Sequence, residues 1–135
     1  SSNQDIRNIL IEKQRQIGRQ LGSLVTEGRD QGSVVFTDAD VKFFLTATDE
    51  ERARRRCEQL AAKGRQVDFE EVLSNLRNRD RNDSKQWQRL LEPGQAVTID
   101  NSDLVSEQVL DQMCMAVQQR CPDYVAPSTN SACIQ

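Results

Sequence analysis

Residues 41–51 read Val-Lys-Phe-Phe-Leu-Thr-Ala-Thr-Asp-Glu-Glu. The first seven are an apolar, aromatic run of strand length. Thr48, followed three residues later by Glu51, has the spacing of a capping box, in which hydroxyl and carboxylate satisfy the free N–H groups at a helix start. A strand therefore feeds directly into a helix. Strands that alternate with helices return to their sheet by a crossover and pair in parallel, with ligand groups gathered at their carboxyl ends.

Downstream, that helix is expected to run to about Lys63, burying Ala53, Cys57, Leu60 and Ala61 and stopping at Gly64. Asp68 with Glu71 makes a second box, opening a helix with Phe69, Val72, Leu73 and Leu76 on one face and Arg77 to Asp83 at its outer end. A short helix around Gln86 to Leu91 and a Pro93-Gly94 turn lead to a strand over Ala96 to Asp100. The final helix, about Ser106 to Arg120, is expected to bury Val109, Leu110, Met113 and Val117 and to end before Pro122. Residues 122–135 carry two prolines and no periodicity, and are expected to be a flexible tail.

Upstream, Asp5 to Leu21 places Ile6, Ile9, Leu10, Ile17 and Leu21 at helical spacing, with Asp5 as N-cap and Gly22 as the stop. Ser23 to Thr26 reads as a short buried strand, ending in the glycine-bent loop Glu27-Gly28-Arg29-Asp30-Gln31-Gly32. The expected fold class is α/β, with about three parallel strands flanked by helices and residues 1–121 as the domain.

Composition narrows the functions. Apolar residues make up 36% and charged residues 29%, which suits a helix-rich globular protein. No apolar run approaches the roughly 18 to 20 residues of a membrane helix, and the start SSNQD lacks a signal-peptide layout, so a cytoplasmic protein without a membrane partner is expected. The four cysteines (Cys57, Cys114, Cys121 and Cys133) show no CxxC spacing, and there is no histidine. That excludes a zinc cluster and a histidine base, and free thiols are expected rather than two disulfides. Net charge is −3, yet arginines cluster at Arg52, Arg54, Arg55 and Arg56, and again at Arg77, Arg79, Arg81 and Arg89. Local basic clusters on an acidic chain favour a small anionic ligand over a nucleic-acid strand, and phosphate is the first candidate. Read without that ligand, Arg52 to Arg56 form a solvated helix face with Glu50–Arg54 and Glu51–Arg55 pairs, and Arg79 pairs with Asp83.

The segments EGRDQGSVVF at 27–36, VKFFLTATDEERARRR at 41–56, NLRNRDRNDS at 75–84 and AVTIDNSDLVSEQV at 96–109 together resemble the second half of a bacterial cytidylate kinase. The resemblance covers about residues 5–121. It implies the P-loop nucleoside monophosphate kinase fold, a parallel sheet with a lid over the phosphates, in an enzyme that moves the ATP γ-phosphate to CMP or dCMP with Mg2+. It further implies that Arg7, Arg29, Asp30, Arg79 and Asp83 bind the CMP phosphate and sugar or base. Arg55 is matched to a lid arginine that meets ATP, and Arg55 and Arg79 are the possible stabilisers of transferred charge. No GxxxxGK[ST] segment occurs in the chain, so it is expected to be inactive in isolation, or else to be a non-catalytic nucleotide-binding or interaction module. Two positions depart from the family pattern: Gln86 stands where an arginine is usual, with Arg89 a candidate substitute if the helix continues, and Glu27 replaces an aspartate. A sheet cut in this way is also expected to expose an edge through which copies self-associate.

Overall fold

The computed structural model describes residues 2–125. Helix α1 spans Ser2–Leu21, strand β1 Phe43–Thr46, helix α2 Asp49–Ala62, helix α3 Phe69–Trp87, strand β2 Val97–Asp100 and helix α4 Ser106–Arg120. A single π-helical turn occupies Gln31–Val35 and a 3-10 turn occupies Gln88–Leu91.

The stretch at 41–51 folds as its sequence suggests. β1 pairs with β2 in parallel, in the register Phe43↔Val97 through Thr46↔Asp100. Thr48 caps α2, its hydroxyl accepting from the Glu51 N–H at 3.3 Å. Only half of the box forms, because the Thr48 N–H donates to Ser102 Oγ at 3.0 Å and Glu51 turns to arginines instead. At α3, Asp68 accepts from the Glu71 N–H at 3.1 Å. Both helices pack on Ala53, Val72 and Leu73, flanked by Cys57 and Leu76. Ala53 is fully buried, which leaves no room between the helices for a larger side chain. Phe44 on β1 meets Trp87 at the end of α3 with ring centroids 5.3 Å apart, so that helix is fastened to the sheet at its far end.

Several expectations change. The described residues contain two strands rather than three: Ser23 to Thr26 pairs with nothing, and Val25 is 94% exposed. An isolated extended segment with no neighbour to accept its hydrogen bonds gains nothing from being a strand. Asp5 does not cap α1, because the helix begins at Ser2 and Asp5 lies in its first turn, where its charge favours the positive helix end. Ala61 is exposed, and no residue of α4 is fully buried, with Leu110 left 58% exposed. On α1, Ile6, Ile9, Leu10, Ile17 and Leu21 are likewise exposed, and Ile11 is half-buried. The expected helix at 86–91 is the end of α3 followed by the 3-10 turn. Cys57, Cys114 and Cys121 are free thiols. Cys133 lies outside the described residues, as does the part of the expected tail from 126 to 135. No helix among the described residues is long and apolar enough to cross a membrane.

Candidate functional site

The two strands end side by side at Thr46 and Asp100, and the polar groups begin there. The Asn101 N–H donates to the Thr46 carbonyl at 2.8 Å, so the chain leaving β2 stays bound to β1. Ser102 donates through both its N–H (2.9 Å) and its hydroxyl (2.6 Å) to Asp100, and the hydroxyl hydrogen bond first of all holds that carboxyl below its ordinary value. Arg55, on the second turn of α2, lays its guanidinium across this corner. It donates from Nε to Glu51 at 2.7 Å, to Asn101 Oδ1 at 2.8 Å and to the Asn101 carbonyl at 2.7 Å.

The loop at 27–36 is shaped by three devices. Gly28 has φ +154°, and a Cβ there would stand 2.9 Å from Gln31 Cγ, so this bend needs glycine. The π turn forms because the Asp30 carbonyl accepts from the N–H groups of both Val34 (2.8 Å) and Val35 (3.1 Å), while that of Gln31 accepts from Phe36 at 2.7 Å. Arg15 of α1 then donates to the Val35 carbonyl from Nε and to the Val34 carbonyl from a terminal nitrogen, each at 2.8 Å. These carbonyls have no partner in the turn itself, and a charged donor satisfies them at some depth. Sequence reasoning missed Arg15. Its position on the first helix, opposite a loop whose carbonyls needed donors, left no motif to find.

Fixed in this way, the loop brings four of the expected site residues together. Arg7 of α1 lies 3.6 Å from the Asp30 carboxylate. The next residue back, Arg29, forms an ion pair with Asp83 on α3. Two consecutive loop residues of opposite charge are thus met by opposite charges from two different helices. Asp83 pairs with Arg29 and not with Arg79, which is exposed and makes no ion pair among the described residues. Gln86 lies half-buried in the last turn of α3. Arg89 does not follow on the same α-helical face, because α3 gives way to the 3-10 turn at Gln88. It lines a separate cavity with Lys42 and Ser33.

A second group of charges clamps α2 to α3. Arg77 donates to Asp49 at 3.0 Å and to Glu50 at 2.9 Å, and Arg52 pairs with Asp49 at 2.7 Å and with Asp80. Of the two pairs expected along α2, Glu51–Arg55 forms at 2.7 Å, whereas Arg54 turns to Glu51 and Glu58 and Glu50 reaches across to Arg77. Hydrogen bonding from Arg54, then from Arg55, pulls the Glu51 carboxyl down to about 2. Hydrogen bonds from Arg52 and then Arg77 lower that of Asp49. Among the described residues no cluster of cysteines or carboxylates could hold a metal ion.

In chemical terms, Arg7, Arg29 and Arg79 offer planar guanidinium donors that suit phosphoryl oxygens, and the carboxylates of Asp30 and Asp83 suit hydroxyl donors. The partly exposed ion pairs are weakly held and can exchange a carboxylate for a phosphate.

The cytidylate kinase family model matches residues 1–119. The chain is 45% identical over 121 residues to the cytidylate kinase of Citrifermentans bemidjiense, covering 89% of this chain and 52% of that protein. It is also 45% identical over 116 residues to those of Caldanaerobacter subterraneus subsp. tengcongensis and Mycolicibacterium paratuberculosis, in each case covering 85% of this chain and 51% of the relative. The chain thus spans about half the length of the curated relatives it matches.

Proposed function

The chain belongs to the cytidylate kinase family, and from that premise we propose that it supplies the nucleoside monophosphate side of a site that phosphorylates CMP or dCMP. The observation that carries this reading is the double pairing of Arg29-Asp30 with Asp83 and Arg7, which converges three segments on one spot. In this reading Arg7, Arg29 and Arg79 take the CMP phosphate, and Asp30 and Asp83 accept hydrogen bonds from the sugar or base. Arg79, with no internal counter-ion among the described residues, meets the anion at no cost in broken pairs.

In the complete reaction MgATP supplies the phosphoryl group. The residues present fit that cofactor only in part. Arg55 stands at the carboxyl ends of the strands and is the candidate to meet the triphosphate, although its guanidinium is committed to Glu51 and Asn101. The GxxxxGK[ST] cradle, with its lysine and its magnesium-binding hydroxyl, is not among these residues. Phosphoryl transfer asks a protein mainly for positioning and charge, so arginines without an acid–base pair suffice on the acceptor side. We infer that the 135-residue chain binds CMP and does not turn it over. Calorimetric titration with CMP, with UMP and AMP as controls, tests the first half, and MgATP-dependent CDP formation tests the second. CDP formation by the purified chain overturns the second, and equal binding of all three nucleotides overturns the first.

Gln86, standing where the family has an arginine, favours the second reading of a nucleotide-binding module without catalysis. CMP binding that persists when this chain is joined to a P-loop half, with no turnover, would support it. Exposed apolar residues on α1 and α4, and a two-stranded sheet with no further strand beside it among the described residues, further favour association with a second copy or with another segment. A cytoplasmic location goes with the nucleotide substrates.

A further inference from the structure

We propose a second anion site, for a free tetrahedral oxyanion such as inorganic phosphate, in the cavity between Ser33, Lys42 and Arg89. The cavity measures about 120 Å³ and lies near the amino ends of the strands, where Lys42 precedes β1 and Gln95 precedes β2. It shares no lining residue with the Arg7, Arg29, Asp30 and Asp83 cluster.

Three observations point to a ligand. The cavity is lined by two cations and no carboxylate. Lys42 spends one proton on the Thr37 carbonyl at 2.6 Å and keeps two, and Arg89 is exposed and makes no side-chain hydrogen bond or ion pair among the described residues. The hydroxyl of Ser33, a residue only 8% exposed, has no hydrogen-bond partner. A buried hydroxyl without a partner is rare in folded proteins, and since this oxygen is sealed from solvent, a turn of its side chain toward the cavity is what would bring it to an oxyanion beside the two cations. The volume falls below the roughly 300–1,000 Å³ of pockets that enclose drug-sized ligands, which suits a small ion rather than an enclosed nucleoside. Gly32 forms part of the wall. A Cβ placed there would come within 3.5 Å of Leu90 and Lys42 side chains, an ordinary contact that tightens the cavity without distorting the fold.

The test is titration of the whole chain with inorganic phosphate at constant ionic strength, balanced with chloride and followed by amide chemical shifts. Saturable shifts at Gly32, Ser33 and Arg89 are expected. Arg89→Ala and Lys42→Met should each weaken binding by about tenfold or more, the loss of one charge-assisted hydrogen bond. Gly32→Ala should weaken it while leaving the spectrum folded, and Ser33→Ala should weaken it less. Arg29→Ala, which disarms the nucleotide cluster, should leave phosphate binding at Ser33 unchanged, and CMP should not displace phosphate in that variant. Non-saturable shifts, affinity in Arg89→Ala and Lys42→Met unchanged from that of the unsubstituted chain, or loss of binding in Arg29→Ala would each overturn the proposal. Displacement by CMP in the Arg29→Ala protein would overturn the free-ion assignment by making the occupant a nucleotide phosphate.

Discussion

Arg29 and Asp83 lie 54 positions apart in sequence and form an ion pair that joins the glycine-bent loop to the C-terminal part of α3, the longer of the two helices between the strands. The pair is partly exposed, at 46% and 21%, so its contribution to stability is small, about 0–1 kcal/mol. In the proposed site the pair holds a guanidinium and a carboxylate in direct contact, where an incoming phosphate would compete with the carboxylate for the guanidinium. Asp83→Asn and Arg29→Ala should each change the melting temperature little while lowering CMP affinity about tenfold or more. Calorimetry paired with thermal unfolding separates the two effects, and a large loss of stability with unchanged affinity would show the pair to be structural.

Arg15 is expected to act on the same site from behind. Its two hydrogen bonds to the Val34 and Val35 carbonyls are charge-assisted and partly buried. Arg15→Met leaves both carbonyls without a donor and should cost about 1.5–3 kcal/mol. Arg15→Lys should not restore the loss, because an ammonium cannot present the same planar pair of donors. Urea unfolding of the three proteins gives the comparison.

Ala53 sits at the α2–α3 contact with no exposed surface. Ala53→Leu should therefore overpack the helix pair and destabilise the chain by about 1–3 kcal/mol. The emission of Trp87, the chain's sole tryptophan, reports whether the end of α3 remains against Phe44.

The ion pairs along α2 and, through Asp49, the α2–α3 clamp should loosen in acid. Glu51 and Asp49 both have carboxyls lowered by arginine hydrogen bonds, Glu51 from 4.5 to about 2. A carboxyl whose folded value is depressed favours the folded state above its unfolded value, and this advantage is lost as the pH falls through the folded one. Stability should thus begin to drop below about pH 4.5 and continue falling toward pH 2. Both groups are close to the solvent, so added salt should shrink the effect. Thermal melts at stepped pH, with and without 1 M salt, measure it.

Much of this architecture was legible in local sequence. The run at 41–47 with Thr48, Asp68 with Glu71, and the Pro93-Gly94 turn specify their elements through side chains that touch their own backbone or neighbours. The boundaries of α4, Ser106–Arg120, follow from periodicity in the same way. The strand expected at 23–26 was not formed, because a strand is defined by a partner and residues 23–26 are hydrogen-bonded into no sheet. The candidate site was legible only as residue types, of which the fold brings Arg7, Arg29, Asp30 and Asp83 together. Its wiring was not: the sequence suggests Arg79–Asp83 and Glu50–Arg54 from their spacing of four, whereas the fold offers Asp83 to Arg29 and Glu50 to Arg77. Long-range pairs of this kind depend on how helices dock, which spacing along one helix does not encode.

The small interior has a thermodynamic consequence. The buried apolar residues among those described are Val35, Ala53, Val72, Leu73, Leu90 and Ile99, while much of the apolar surface of α1 and part of that of α4 already stand in water. Unfolding therefore adds little newly hydrated apolar surface, and the heat-capacity increment should fall below the usual ~12–15 cal/mol/K per residue. The unfolding enthalpy draws on the same small interior and should be low as well, so the chain should melt over a broad range rather than at a sharp point.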